Sequence, residues 1–340
     1  MSVLQEFLEG ERAVTSGKPA RFALCGIGLA LVLASGTYVA QVRAEPAVPT
    51  IAFIPQTAGA MLWDVEHFGA SVAAEERKFR LYWNTPTSES DVAGQVTLID
   101  KVSRGKYQGL VVAPNHPLAI LAPLRRAVAA GLPVVVVSAA LDLPAGSKLG
   151  YIVNDDEKMG ELAAAEAARL IHGSGDVALV GVTRDAPGIV SRVHRAERFF
   201  ADRFPGIHVV SRLGGAYDAS RAEQLTNGTV DSHPGLKAVL SFTAASTRGV
   251  HASLKSRLLQ NTTVHVGCEQ DSDLIGYVGN GEIAAILAEN TYRMGYEAVG
   301  AIAASRAGKP MISRLLVPPF LITRQNVNSA EASAFTSFPR

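Results

Sequence analysis

The chain has 340 residues, of which 48% are hydrophobic, 19% charged and 6% aromatic. That is the composition of a folded protein with more core than one ordinary α/β domain needs. Lysine plus arginine number 32 against 31 acids, a net charge of +1, and no basic stripe interleaved with aromatic residues appears, which disfavours nucleic acid as a partner. The two cysteines, Cys25 and Cys268, form no C-x-x-C pair and no His/Cys spacing suits zinc, so no metal or other cofactor is expected.

Residues 22–42, FALCGIGLALVLASGTYVAQV, form an apolar run long enough to cross a hydrocarbon core of roughly 30 Å as a helix. Lys18 and Arg21 precede it, so the positive-inside rule puts residues 1–21 in the cytoplasm and the rest of the chain outside. Val42-Arg43-Ala44 resembles a small-x-small cleavage site before Glu45. Residues 22–44 are therefore either a cleaved signal peptide or an uncleaved membrane anchor. The expected location of the body is the periplasm or the outer face of the cytoplasmic membrane. Pro46 and Pro49 mark residues 45–50 as a linker.

From Thr50 onward, short apolar runs alternate with amphipathic stretches. The runs are IAFIP (51–55), FRLYW (79–83), GLVVAP (109–114), PVVVVS (133–138), DVALVG (176–181), HVVSRL (208–213), KAVLSF (237–242) and VHVGC (264–268). Several are continuous and β-branched, the pattern of strands covered on both faces. Between them Leu62, Val65, Phe68 and Val72, then Val92, Val96, Ile99 and Val102, then Leu121, Leu124 and Val128 follow helical spacing. Strand and helix recur about every 25–30 residues, the length of a βαβ unit. The fold class is doubly wound α/β. Around Tyr151 to Asp156 the chain reads as extended and polar, a plausible crossing between two lobes.

Open parallel sheets take ligands beyond the carboxyl ends of their strands, where helix N-termini and loop amides converge. That rule selects Gln56, Thr57, Asn84, Asn115, Ser138, Thr183, Arg184, Tyr217, Thr243 and Glu269, a polar set suited to a small hydrophilic solute. No phosphate-binding loop, dinucleotide fingerprint or G-x-S-x-G elbow accompanies it. The expectation is binding without catalysis. Asp155-Asp156 reads as a helix N-terminus, where acids offset the macrodipole, rather than as an acid-base pair. His194 with Arg192 and Arg195 reads as a solvated helical face from which one arginine could reach a cleft. Trp63 reads first as a core residue and second as a stacking platform.

The order and spacing of IAFIP…WDVEHFGASVAAEE, GLVVAPNHPLAILAPLRRAVAAGLPVVVVS, YIVNDDEKMGELAA, AYDASRAEQLTNGTVDSHPGLKAVLSF and VHVGCEQDSDLIGYVGNGEIAAILAENTYRMGYEAV resemble the ribose-binding type of periplasmic sugar-binding proteins from about Ile51 to Thr323. The resemblance implies two doubly wound lobes joined by a three-strand hinge, after one N-terminal hydrophobic helix. It assigns residues 51–154 plus 290–317 to the N-terminal lobe, 155–289 plus 318–326 to the C-terminal lobe, and 327–340 to a tail. Crossings would fall near Asn154-Asp155, Glu289-Asn290 and Val317-Pro318. Carried over residue by residue, Trp63 and Tyr217 fall at stacking-aromatic positions, Thr243 at an asparagine, Glu269 at an aspartate and Glu289 at a glutamine. Arg192 lies within about one residue of the ligand-binding arginine.

The sequence also departs from the family pattern. Ser138-Ala139 replaces the usual Asp-Arg pair, Ala60 an asparagine and Leu62 an aromatic residue. Losing a charged pair that binds hydroxyls counts against ribose, while Glu269 and Glu289 suit a polyol, an amino-sugar or a cationic solute. The resemblance further implies hinge closure on a sugar-like solute, with the closed form read by an ABC-type permease or by a membrane sensor. A LacI-type repressor shares this body but would begin with a helix-turn-helix in place of the apolar segment.

Overall fold

The computed structural model describes residues 48–88 and 90–336. The expected leader, the 22–44 segment, residues 45–47 of the linker and the last four residues of the tail lie outside the described residues. No helix among the described residues is long and apolar enough to cross a membrane.

Among the described residues, twelve strands form two six-stranded sheets. The first holds β1 (Thr50–Ile54), β2 (Arg80–Trp83), β3 (Tyr107–Val112), β4 (Val134–Ser138), β5 (Leu149–Asn154) and β11 (Arg314–Val317), in the order β11-β5-β4-β3-β1-β2. The second holds β6 (Ser174–Val180), β7 (Gly206–Leu213), β8 (Ala238–Ser241), β9 (Val264–Cys268), β10 (Ala285–Ala288) and β12 (Phe320–Thr323), in the order β12-β10-β9-β8-β6-β7. Every pairing is parallel except that of β10 with β12. The unbroken valines of β4 lie wholly inside, as a strand sandwiched between helix layers requires.

The chain passes from one sheet to the other three times. After β5 it enters helix α4 (Asp156–Leu170) and then β6; after β10 it enters α9 (Thr291–Arg306), which packs beside the first sheet; β11 runs through Pro318-Pro319 into β12. Both helical crossings are capped. The Asp155 carboxylate accepts the Lys158 N–H at 3.0 Å, and the Asn290 side chain accepts the Arg293 N–H at 3.0 Å, satisfying amides that a helix start leaves unpaired.

Two features differ from the sequence reading. The Tyr151 to Asp156 stretch is extended and the chain leaves the first sheet after it, but residues 151–154 end a strand buried along its whole length; only Asn154 and the following Asp155-Asp156 carry the polarity. Helix α1 (Met61–Glu76) buries Val65 of the Leu62/Val65/Phe68/Val72 stripe, but not Leu62, Phe68 or Val72. The rest of its buried face is Trp63, Glu66, Gly69, Ala70, Ala73 and Ala74, with small residues where α9 approaches too closely for larger ones. A Cβ on Gly69 would stand 2.1 Å from the Tyr292 carbonyl oxygen, and one on Gly295 would stand 2.1 Å from that of Glu66. The small residues are set by backbone approach, a term hydrophobic periodicity does not carry.

The short strands β10, β11 and β12 follow four-residue runs that the periodicity did not single out. Elsewhere, Trp83 at the end of β2 stacks between Phe53 at 4.5 Å and His67 at 4.4 Å, while Trp63 belongs to the same core.

Candidate functional site

A cavity of about 270 Å³ lies between the carboxyl ends of the two sheets. One wall comes from the first sheet's side. It is formed by Gln56 after β1, Ala60, Leu62 and Trp63 at the start of α1, Ser138-Ala139 at the end of β4, and Asn154 ending β5. The other wall is formed by Arg192 on α5 (Pro187–Arg203), Tyr217, Thr243 and Arg248 around the start of α7 (Ala244–Ser256), Glu269, Gln270 and Asp271 after β9, and Glu289 after β10. Asp156, at the first turn of α4, joins it. Helix N-termini and strand ends converge here because both sheets are parallel.

Gln56, Trp63, Ser138, Arg192, Tyr217, Thr243, Glu269 and Glu289, selected from the sequence, all line this cavity. Asn115 does not. Its backbone N–H donates to Gln95 Oε1 at 3.0 Å and its side chain donates to the Asp91 carbonyl at 3.2 Å. The buried Gln95 also donates to the Ala113 carbonyl at 2.8 Å. Asn115 therefore ties the loop after β3 to α2 (Val92–Arg104), a contact that no local sequence signal announces.

Both acids stand at a helix N-terminus as expected, Asp155 as the cap and Asp156 in the first turn, and Asp156 has a second contact the sequence did not indicate. Its carboxylate turns into the cleft, where Asp156 Oδ1 accepts from Arg192 Nε at 2.7 Å. Arg248, Gln270 and Asp271 were not selected; the Arg248 guanidinium pairs with Asp271 and with Asp273.

Arg192 is the centre of the second wall and its side chain is 5% exposed. Besides Asp156, it donates from Nη1 to the Phe242 carbonyl at 3.1 Å and to Glu269 Oε1 at 3.0 Å, and from Nη2 to Glu289 Oε1 at 2.5 Å. A guanidinium has five N–H donors, and four are used by the protein. Burial would lower its pKa, but the carboxylates of Asp156, Glu289 and Glu269 overcome that and hold it well above the ordinary arginine value. Arg192 is charged at every accessible pH.

For its partners burial prevails. Glu289 and Asp156 both have raised pKa values, because loss of water around the carboxylate outweighs the pull of Arg192. Behind Glu289 stands Glu66, completely buried, with neither oxygen hydrogen-bonded among the described residues. Burial first and Glu289 second raise its pKa well above the ordinary value. Cys268, next to Glu269, is buried, and its thiol is pushed up to about 12 by burial, so it stays protonated.

The remaining polar groups are largely committed. Glu269 Oε2 accepts the Ala244 N–H at 3.0 Å, at the positive end of α7. Thr243 caps that helix, accepting the Ser246 N–H at 3.1 Å while donating to the Ala216 carbonyl. Gln56 donates to the Pro114 carbonyl at 2.7 Å. Gln270 grips both backbone groups of Glu289, accepting its N–H at 2.8 Å and donating to its carbonyl at 2.7 Å. Ser138 and Glu269 both adopt left-handed backbone, with φ of 67° and 66°. Such strain in non-glycine residues persists where the surroundings impose it, commonly at ligand sites.

Residues 51–310 match the family model described as "Periplasmic binding protein domain". A D-ribose/D-allose-binding protein of Pseudomonas aeruginosa is 22% identical over 226 residues, covering 63% of this chain and 69% of that protein. A D-apiose import binding protein of Paraburkholderia graminis is 23% identical over 252 residues, covering 72% and 78%. Among solved structures, a carbohydrate transporter solute binding protein of Agrobacterium radiobacter, in complex with D-arabinose, superposes with a TM-score of 0.78 at 20% identity, covering 86% of this chain and 99% of that one. At that identity the superposition establishes the two-lobed fold.

Proposed function

The chain belongs to the periplasmic binding protein family, and on that premise we propose that it is an extracytoplasmic receptor, not an enzyme, for one small polar, sugar-like solute. The observation that carries this reading is a cavity whose two walls come from different sheets, with the chain crossings Asn154-Asp155 and Glu289-Asn290 at its base. A ligand between such walls contacts both only when they are close, so it stabilises closure by its differential affinity for the closed form. The closed receptor then hands its cargo to the permease of an ABC-type importer. Support comes from relatives whose names specify ribose, allose and apiose binding. The cavity, at about 270 Å³, has room for one monosaccharide-sized molecule and sits at the small end of ligand pockets.

The test is isothermal titration of the full-length protein, in mild detergent, against a panel of pentoses, hexoses and polyols. At least one compound should bind with one-to-one stoichiometry, remain chemically unchanged and raise the melting temperature. A panel with no binder, or a bound compound recovered as a different chemical species, removes the receptor reading.

A further inference from the structure

The walls of the cleft differ in charge, and the difference narrows the ligand. Arg192 and Arg248 are the cations lining the cavity, against the carboxylates of Asp156, Glu269, Asp271 and Glu289. The charge of Arg248 is balanced by Asp271 and Asp273, which it contacts through Nε and Nη2, while its two Nη1 donors take no part in those bonds. Arg192 is spent on the other three acids and on a carbonyl. A sugar hydroxyl entering here finds one N–H of Arg192 and the Nη1 group of Arg248 outside the ion pairs, whereas each carboxylate retains lone pairs after its protein bonds. One positive charge shared among three buried or half-buried carboxylates leaves the second wall anionic. A ligand that brings its own positive charge compensates that wall; a neutral one leaves it uncompensated.

The aromatic residues place the rest of the ligand. The opposite wall presents the indole of Trp63, and Tyr217 lines the cavity from the second wall. Such rings offer flat apolar surface to the frame of a sugar-like solute and leave its charge to the carboxylates.

We infer that the cleft selects a cation-bearing solute, an amino-substituted sugar or polyol whose ammonium group sits against Glu289, Glu269 and Asp156 while its hydroxylated frame lies against Trp63 and Tyr217. Arg192 is then a positioning residue that holds the three carboxylates in a ring, not the donor that recognises hydroxyls. This inference rests on the receptor reading and specifies its ligand.

Matched pairs test it on the full-length protein at neutral pH by isothermal titration: D-glucosamine with D-glucose, D-galactosamine with D-galactose, D-mannosamine with D-mannose, and glucamine with D-sorbitol. In at least one pair the amine should bind ten or more times tighter than its neutral parent. The variants Glu269→Gln and Glu289→Gln should each reduce that preference at least fivefold, with Glu269→Gln, at the more exposed position, guarding against a folding failure of the other. A neutral parent that binds as tightly as its amine, or a preference unchanged in both variants, overturns the charge assignment and leaves the receptor reading standing. If none of these compounds binds, the charge assignment falls; if the neutral panel of the preceding subsection is silent too, the receptor reading falls with it.

Discussion

The two lobes are built on one plan and finished differently. Their strand orders correspond position by position, so β4 of the first sheet and β9 of the second hold the same place. Each of these strands delivers a left-handed residue to the cavity, Ser138 in one lobe and Glu269 in the other. Each lobe also presses a glycine helix against a neighbour. Gly69 meets the Tyr292 carbonyl in the first, and Gly160 meets that of Arg192 in the second, where an added Cβ would likewise lie 2.1 Å away. Yet the first wall is uncharged and the second carries a buried guanidinium with three carboxylates. The fold supplies the same two sockets twice. What fills them decides which lobe reads charge.

The largest effect should come from emptying the charged socket. Arg192→Met strands three carboxylates, and breaking a buried ion network by removing one partner costs about 3–5 kcal/mol. Denaturant unfolding should show a loss on that scale, with no comparable loss for Gln56→Met across the cleft. The loss should shrink on acidification, because Asp156 and Glu289 already have raised pKa values and, without Arg192, take up protons more readily still.

Next come the paired glycines. Gly69→Ala and Gly160→Ala each force a helix pair apart, an overpacking cost of about 1–3 kcal/mol. Both should lower the melting temperature, but Gly160→Ala displaces the segment bearing Arg192 and its carboxylates whereas Gly69→Ala displaces the helix bearing Trp63, so Gly160→Ala should weaken solute binding the more. Equal binding defects would dissolve the distinction between the lobes.

Glu66 is a buried carboxyl behind the neutral wall, and the sign of its effect on stability can be worked out. With its folded pKa above the ordinary 4.5, the native state holds a proton that the unfolded chain has released throughout the interval between the two values. Stability therefore falls as pH rises through that interval and is lowest above the folded pKa. Glu66→Leu removes an unpartnered buried carboxyl, a gain of about 1–3 kcal/mol. Its stabilisation should be larger at pH 8 than near pH 4, where only the cost of the unpartnered neutral carboxyl remains, as read by melting temperature. The smallest expected effect is at the strained pair. Ser138→Gly relieves a left-handed conformation and should stabilise by up to about 1 kcal/mol, whereas Glu269→Gly loses the bonds to Arg192 and Ala244 and should destabilise.

The sequence made the sheets legible where strands are long and β-branched, as at 133–138, and left them obscure where four residues suffice, as in AILA at 285–288. The cleft was legible through position: a polar residue after a parallel strand stands at the carboxyl edge of the sheet, and Gln56, Ser138 and Glu269 do line the cavity there. The same rule selected Asn115 wrongly, because its side chain is claimed by a helix that begins more than twenty residues earlier. Asp156 was missed for the converse reason. Two adjacent aspartates look alike in one dimension; only the partner 36 residues later, Arg192, separates the cap from the cleft acid.

Trp63 and Trp83 are the two tryptophans of the whole chain, and both belong to the first lobe, one at the cavity and one stacked on Phe53 and His67. Tryptophan fluorescence is thus blind to the second lobe except through what that lobe does to Trp63. A solute-dependent spectral change would report an event at the neutral wall, without labels, and Trp83→Phe would leave a single built-in lamp at the mouth of the cleft.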